Sequence, residues 1–216
     1  GTARAVGLVL LLSTCLRPSL AAEKGVELHY GTLGAGAGVA FAVSEHWNAR
    51  LGVNARSFDL PYRYDDRAHE ATVRYRSAFV LADYHPGGGA FRVTAGVLEN
   101  ANEMLMKPDL APGNEIGGRV IQPGGGGTLG ARVHYPDAAA YLGIGWGVQL
   151  RGCSPFLLSA EVGVMYQGKP RVELDRRSGL SAVTPGDLER ERAATEEKLA
   201  DYDTFPVLSL SLMYRF

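Results

Sequence analysis

The 216-residue chain is long enough for one domain of ordinary to large size, and a single sandwich or barrel absorbs this length without splitting. Its formal charge of −1, from 22 basic and 23 acidic side chains scattered along the sequence, leaves no case for a nucleic-acid partner. Glycine, at 28 residues, has no collagen period and sits among apolar neighbours, so its use is structural.

The first segment reads basic, apolar, small: Arg4, the run Ala5 to Leu16, then Arg17-Pro18, Ser19-Leu20-Ala21-Ala22 and the charged Glu23-Lys24. The run is too short for the roughly 20 residues of a spanning helix, and the small residues match a secretory cleavage site. The expectation is a signal peptide over residues 1–22, cleaved after Ala21 or Ala22, and a barrel domain over residues 23–216. A lipoprotein reading through Cys15 is disfavoured by Thr14, which stands where a smaller residue is wanted. Cleavage would leave Cys153 alone, so no internal disulfide is expected.

Beyond the leader no stretch is apolar for the eighteen or so residues a spanning helix needs, so entry into a membrane would require a closed barrel. Val26, Leu28 and Tyr30 suggest a first strand, and Gly34, Gly36 and Gly38 mark one face of the next. Trp47, Ala49, Leu51, Val53 and Ala55 then alternate with Asn48, Arg50, Gly52, Asn54 and Arg56. Val73, Tyr75, Phe79 and Leu81 alternate with Thr72, Arg74 and Arg76, and Phe91, Val93, Ala95 and Val97 with Arg92, Thr94 and Gly96. Leu142, Ile144, Trp146 and Val148 oppose Tyr141, Gly143, Gly145 and Gly147, and Leu158, Ala160, Val162 and Val164 oppose Ser159 and Glu161. Period two is the strand signature.

Alternation alone also fits a soluble sandwich or lipocalin. The end of the chain argues otherwise: Leu208, Leu210, Leu212, Tyr214 and Phe216 form one apolar face finishing in an aromatic, opposite Ser209, Ser211 and Arg215. Short links at 44–46, 86–89 and 151–154 alternate with longer ones near 58–70, 103–127 and 168–204, the pattern of short periplasmic turns and long extracellular loops. One short helix is expected in the last long link, capped by Thr184 with Pro185 and Asp187 and running from Leu188 to Ala200, either as a charged, solvated element over the barrel mouth or as a plug or partner-binding element.

Through Leu212, Tyr214 and Phe216 the terminus resembles the C-terminal signal of bacterial outer-membrane barrels, which implies recognition by the barrel-assembly machinery. Over most of the chain, and in the strings Gly143-Ile144-Gly145-Trp146-Gly147 and Phe205-Pro206-Val207, the sequence resembles small Gram-negative barrels of the OmpA/OmpW-like group. That resemblance implies a fold and no function. The expected fold is all-β: an antiparallel transmembrane up-and-down barrel of about eight strands in the cell outer membrane.

If the apolar faces meet lipid, Arg50, Arg56, Arg74, Arg76, Arg92 and Glu161 point into the lumen. There they form a satisfied charge network lying over the glycine stripes, or line a narrow anion-favouring path. No catalytic motif emerges: His29, His46, His69, His85 and His134 share no metal-ligand spacing, and Asp83-Tyr84-His85, the nearest to an acid/base pair, falls at a turn. No cofactor is expected, since neither glycine-rich stretch has nucleotide-loop spacing. The expected role is structural or surface-interacting through external loops, including Tyr62 to Asp66 toward lipopolysaccharide or an unidentified external partner. The alternative is a narrow channel for small solutes or apolar compounds.

Overall fold

The computed structural model describes residues 24–64, 67–150 and 154–216. The expected signal peptide, the loop tip at 65–66, the side chains of residues 62–68 and the turn around Cys153 lie outside these residues.

The chain opens with β1 (Lys24–Gly31), β2 (Gly34–Ala42), β3 (Trp47–Tyr64), β4 (Arg67–Tyr84) and β5 (Phe91–Asn100). Four short strands follow: β6 (Glu103–Met106), β7 (Asp109–Leu110), β8 (Glu115–Ile116) and β9 (Arg119–Val120). Then come β10 (Gly127–His134), β11 (Ala138–Gln149), β12 (Phe156–Tyr166), β13 (Arg171–Gly179), the helix α1 (Pro185–Lys198) and β14 (Thr204–Arg215). Each of the strands β1, β2, β3, β4, β5, β11, β12 and β14 pairs antiparallel with the next, and β14 returns to β1 with Tyr30 opposite Leu210 and Val26 opposite Tyr214. The result is a closed eight-stranded up-and-down barrel. Closure leaves no edge, the condition under which strands survive without water beside them.

The wall has two heights. β1 and β2 stop at the turn Thr32–Leu33, whereas β6 carries on the course of β5, β10 runs into β11, and β13 extends β12. These extensions pair with β4 and with one another, as Ala71 with Met106, Arg132 with Leu105 and Arg132 with Glu173. The stretch expected to be a long loop near 58–70 is instead strand, paired down to Tyr64 opposite Arg67. Alternation in both arms lets the hairpin ladder continue to its tip. Pro206, which can give no ladder N–H, sits where β14 has already passed the end of β1.

The faces are inverted relative to a soluble barrel. Leu28, Val53, Val97, Leu142, Ile144, Val162, Val164, Leu208 and Leu210 are exposed on the outside, while Glu27, Arg50, Asp83, Arg92, Thr94, Ser159, Glu161 and Ser211 are buried inside.

Candidate functional site

An eight-stranded barrel leaves an interior only about wide enough for side chains, and here they fill it in tiers. The tier toward the short-turn end is a charge network. Arg50 Nε donates to Asp83 Oδ2 at 2.6 Å, and its Nη2 donates both to Asp83 Oδ1 at 3.0 Å and to Glu161 Oε2 at 2.7 Å. Arg92 Nη2 donates to the same Glu161 oxygen at 2.6 Å. The Thr94 hydroxyl donates to Asp83 Oδ1 and the Tyr141 hydroxyl to Glu161 Oε1, each at 2.7 Å. Bidentate, charge-assisted bonds of this kind are the strong ones.

Glu27, only 2% exposed, completes the network at longer range, 3.7 Å from Arg50 Nη1 and 3.8 Å from His29 Nδ1. Neither of its carboxylate oxygens has a hydrogen-bond partner. His29 Nε2 sits 2.7 Å from Asn54 Oδ1, and Asn54 Nδ2 donates to Ser77 Oγ, so Asn54 presents its carbonyl and His29 its N–H. A cavity of about 50 Å³ remains beside Glu27, His29, Arg50 and Glu161, room for a few waters. The network holds two guanidiniums and three carboxylates, which does not favour anions.

Glycine makes the space, as contact distances show. A Cβ at Gly143 or Gly163 would come within 2.5 or 2.4 Å of the Tyr141 hydroxyl, and one at Gly36 within 2.1 Å of His29 Nε2. Arg92 lies over Gly145 in the same way at 3.0 Å, and Glu27 over Gly38 at 3.1 Å. At Gly36, Gly38, Gly143, Gly145 and Gly163 the resting side chains are thus one arginine, a tyrosine, a histidine and a glutamate.

On the long-loop side of this network lies an apolar tier: Leu33, Phe79, Leu81, Leu98, Ala139, Met165 and Val207 pack as one buried cluster with Tyr141, and Phe205 closes against it. Above that, at the mouth, Tyr75 stands between Phe58 at 5.9 Å and Phe205 at 5.5 Å.

A lid covers the long-loop end. Leu110, Ile116, Ile121, Leu129, Leu180 and Val183 form a second buried core, with Leu174 and Leu188 packed against it. Thr184 and Asp187 make the expected capping box at the start of α1. The helix is not simply solvated, however. Asp187 is fully buried, accepts from Arg119 Nε at 2.6 Å and pairs with Arg190. Glu191 accepts from the Gly117 N–H at 2.9 Å, Arg190 donates to the Gly117 carbonyl at 2.8 Å, and Glu196 accepts from the Val172 N–H at 2.9 Å. Gly117 turns the β8–β9 hairpin at φ 55°, where a Cβ would stand 2.0 Å from the Asp187 carbonyl oxygen.

Of the residues expected in the lumen, Arg50, Arg92 and Glu161 meet in the network. Arg56 stands exposed at the mouth, its guanidinium 4.7 Å above the Phe58 ring. Arg74 and Arg76 require correction. On β4 the buried residues are Ala71, Val73, Ser77, Phe79, Leu81 and Asp83, so both arginines stand on the outer face, Arg74 bound to Glu103 at 3.0 Å and Arg76 exposed. The phase of β4 inverts because its inward positions serve the apolar tier. The Asp83 carboxylate is taken up by Arg50 and Thr94 in the lumen. Leu212 and Tyr214 point outward along β14, and Phe216 follows at its end.

No family model and no curated protein sequence matches the chain. Solved structures do, two of them from one organism. The crystal structure of Acinetobacter baumannii CarO2 aligns with a TM-score of 0.61 at 20% identity, covering 90% of this chain and 98% of that one. CarO of the same organism aligns at 0.59 and 22% identity, covering 89% and 97%. At this identity the likeness shows the shared barrel fold.

Proposed function

We propose that this chain is a non-catalytic integral protein of the bacterial outer membrane whose lumen is closed and whose role is carried by its outer end. The observation that carries the reading is the filled interior, a charge network and an apolar tier in series under a docked lid. Supporting the placement, β12 runs eleven residues from Phe156 to Tyr166, ten rises along the strand. At about 3.3 Å per residue and a tilt of about 40° they rise roughly 25 Å, the height of an outer-membrane apolar band. Aromatic pairs Trp47–Tyr84, Phe91–Trp146 and Phe156–Tyr214 ring the short-turn end as an interfacial girdle would. In this reading the short turns are periplasmic, Leu212, Tyr214 and Phe216 are the strand read by the assembly machinery, and the lid of β7 to β9 and α1 meets the cell exterior.

The test is surface labelling. Ala194→Cys on the exposed side of α1 should react with a membrane-impermeant maleimide in intact cells, and His46→Cys in a short turn should react only after the outer membrane is opened. The reverse pattern, or equal reaction of both, would contradict the placement. The cavity beside Glu27 favours a second reading, a narrow path for small solutes, which conductance separates from the first.

A further inference from the structure

Where β1 and β2 stop short, an open cleft of about 430 Å³ breaks the outer surface. Tyr30, Val162, Leu208 and Leu210 wall it, all exposed on the outer side, and its floor is Gly31, Ala160, Glu161 and Ser209, where Ala160 contributes only a methyl. Thr32 and Arg56 border it at the rim. The volume lies in the range of small-ligand sites, which run from roughly 300 to 1,000 Å³.

An apolar trough ending at a guanidinium complements one kind of molecule, an acyl chain joined to an anionic head. The chain would lie against carbon surface, and the forked N–H groups of arginine match a phosphate. Arg56 is available for this. Among the described residues no carboxylate pairs with it, and its guanidinium lies over the Phe58 ring, with Tyr75 nearby. The trough is also continuous with the apolar outer band, so a lipid reaches it by sliding within the membrane, whereas a soluble partner would have to displace lipid first.

We propose that this cleft binds one phosphorylated glycolipid of the outer leaflet, with an acyl chain over Ala160 and a head-group phosphate on Arg56. The proposal rests on the outer-membrane placement, because the low rim then lies in the leaflet where lipid A is the phosphorylated lipid.

Its test is native mass spectrometry of the refolded barrel in neutral detergent, offered lipid A or, separately, phosphatidylglycerol. The expected result is one retained lipid A per barrel, with Arg56→Ser and Ala160→Phe each weakening retention about tenfold, the factor of one charge-assisted contact. Arg76→Ser, on the outer face of the tall wall, should retain lipid A as the parent does. Equal retention by Arg56→Ser and Ala160→Phe, equal retention of phosphatidylglycerol, or no retention at all would overturn the site. Heat-modifiable gel mobility, read on every sample after transfer to lipid vesicles, keeps the two failures apart: a chain that never acquires the folded mobility contradicts the membrane reading itself, and the lipid site with it.

Discussion

Arg50 is the residue on which the lumen turns, because it alone binds two of the three network carboxylates directly and approaches the third. A buried ion network is not in itself a source of stability, but removing one partner strands the others at a cost of about 3–5 kcal/mol. Arg50→Met should therefore lower the free energy of unfolding by about that amount, measured by urea titration of the refolded barrel with gel mobility as readout. Arg74→Ser should cost under about 1 kcal/mol, since Arg74 and Glu103 form a half-exposed pair. Equal losses for both would mean that the inverted phase of β4 is wrong. Gly163→Val should displace Tyr141 from Glu161 and reduce folding yield, which Gly147→Ala should not, because the space at Gly147 is bounded only by the side chain of Leu157. At this scale the sequence was legible where a strand kept a single chemical contrast, as on β12. It misled on β4, where Phe79 and Leu81 are apolar because they face the apolar tier inside the barrel rather than its outer surface. Glu27 and His29 lie on the inward parity set by Val26, Leu28 and Tyr30. That signal was present, but a strand so short drew attention to its outward face.

The lid is the element whose behaviour the chain most clearly programs. Asp187 is held well below the usual carboxylate range, first by the Thr184 backbone N–H, then by the Thr184 hydroxyl and Arg119. A depressed value means that the docked state binds the proton more weakly than the free side chain does. The contribution is therefore fully present above the free aspartate value of about 3.9 and is lost as pH falls below it toward the lower docked value. Once scaled by the intrinsic rate, which itself falls with pH, hydrogen exchange of the α1 amides should quicken below about pH 4 while the barrel strands stay protected. Asp187→Asn should produce the same quickening at neutral pH, and so should Gly117→Ala, whose added methyl would strike the helix N-terminus. Slow exchange in both variants would show that the apolar lid core, not this polar clamp, holds α1. The helix and its cap were readable from Thr184, Pro185 and Asp187. Its docking was not, since the partners Gly117 and Arg119 are separated from it by some 70 residues and joined only by the fold.

For the whole molecule, strand count, antiparallel order and closure followed from period two, the spacing of short turns and the apolar face of β14. The two heights of the wall did not, because whether alternating residues such as 58–64 form loop or ladder depends on a partner strand that sequence alone does not reveal. The tall wall gives the lid a surface to pack against, and the low rim leaves the apolar outer faces of β1, β2 and β14 uncovered. Between them paired charges and apolar side chains fill the lumen in two tiers, and under the proposed function that filling separates a surface protein from a pore. Planar-bilayer conductance of the refolded chain, with heat-modifiable mobility confirming the barrel, tests it most directly. A filled lumen predicts silence from the parent and from Arg74→Ser and Arg76→Ser alike. Discrete, reproducible steps whose ion selectivity shifts on replacing Arg50 or Glu161 would contradict it, and would make the charge network the selectivity filter of a real path.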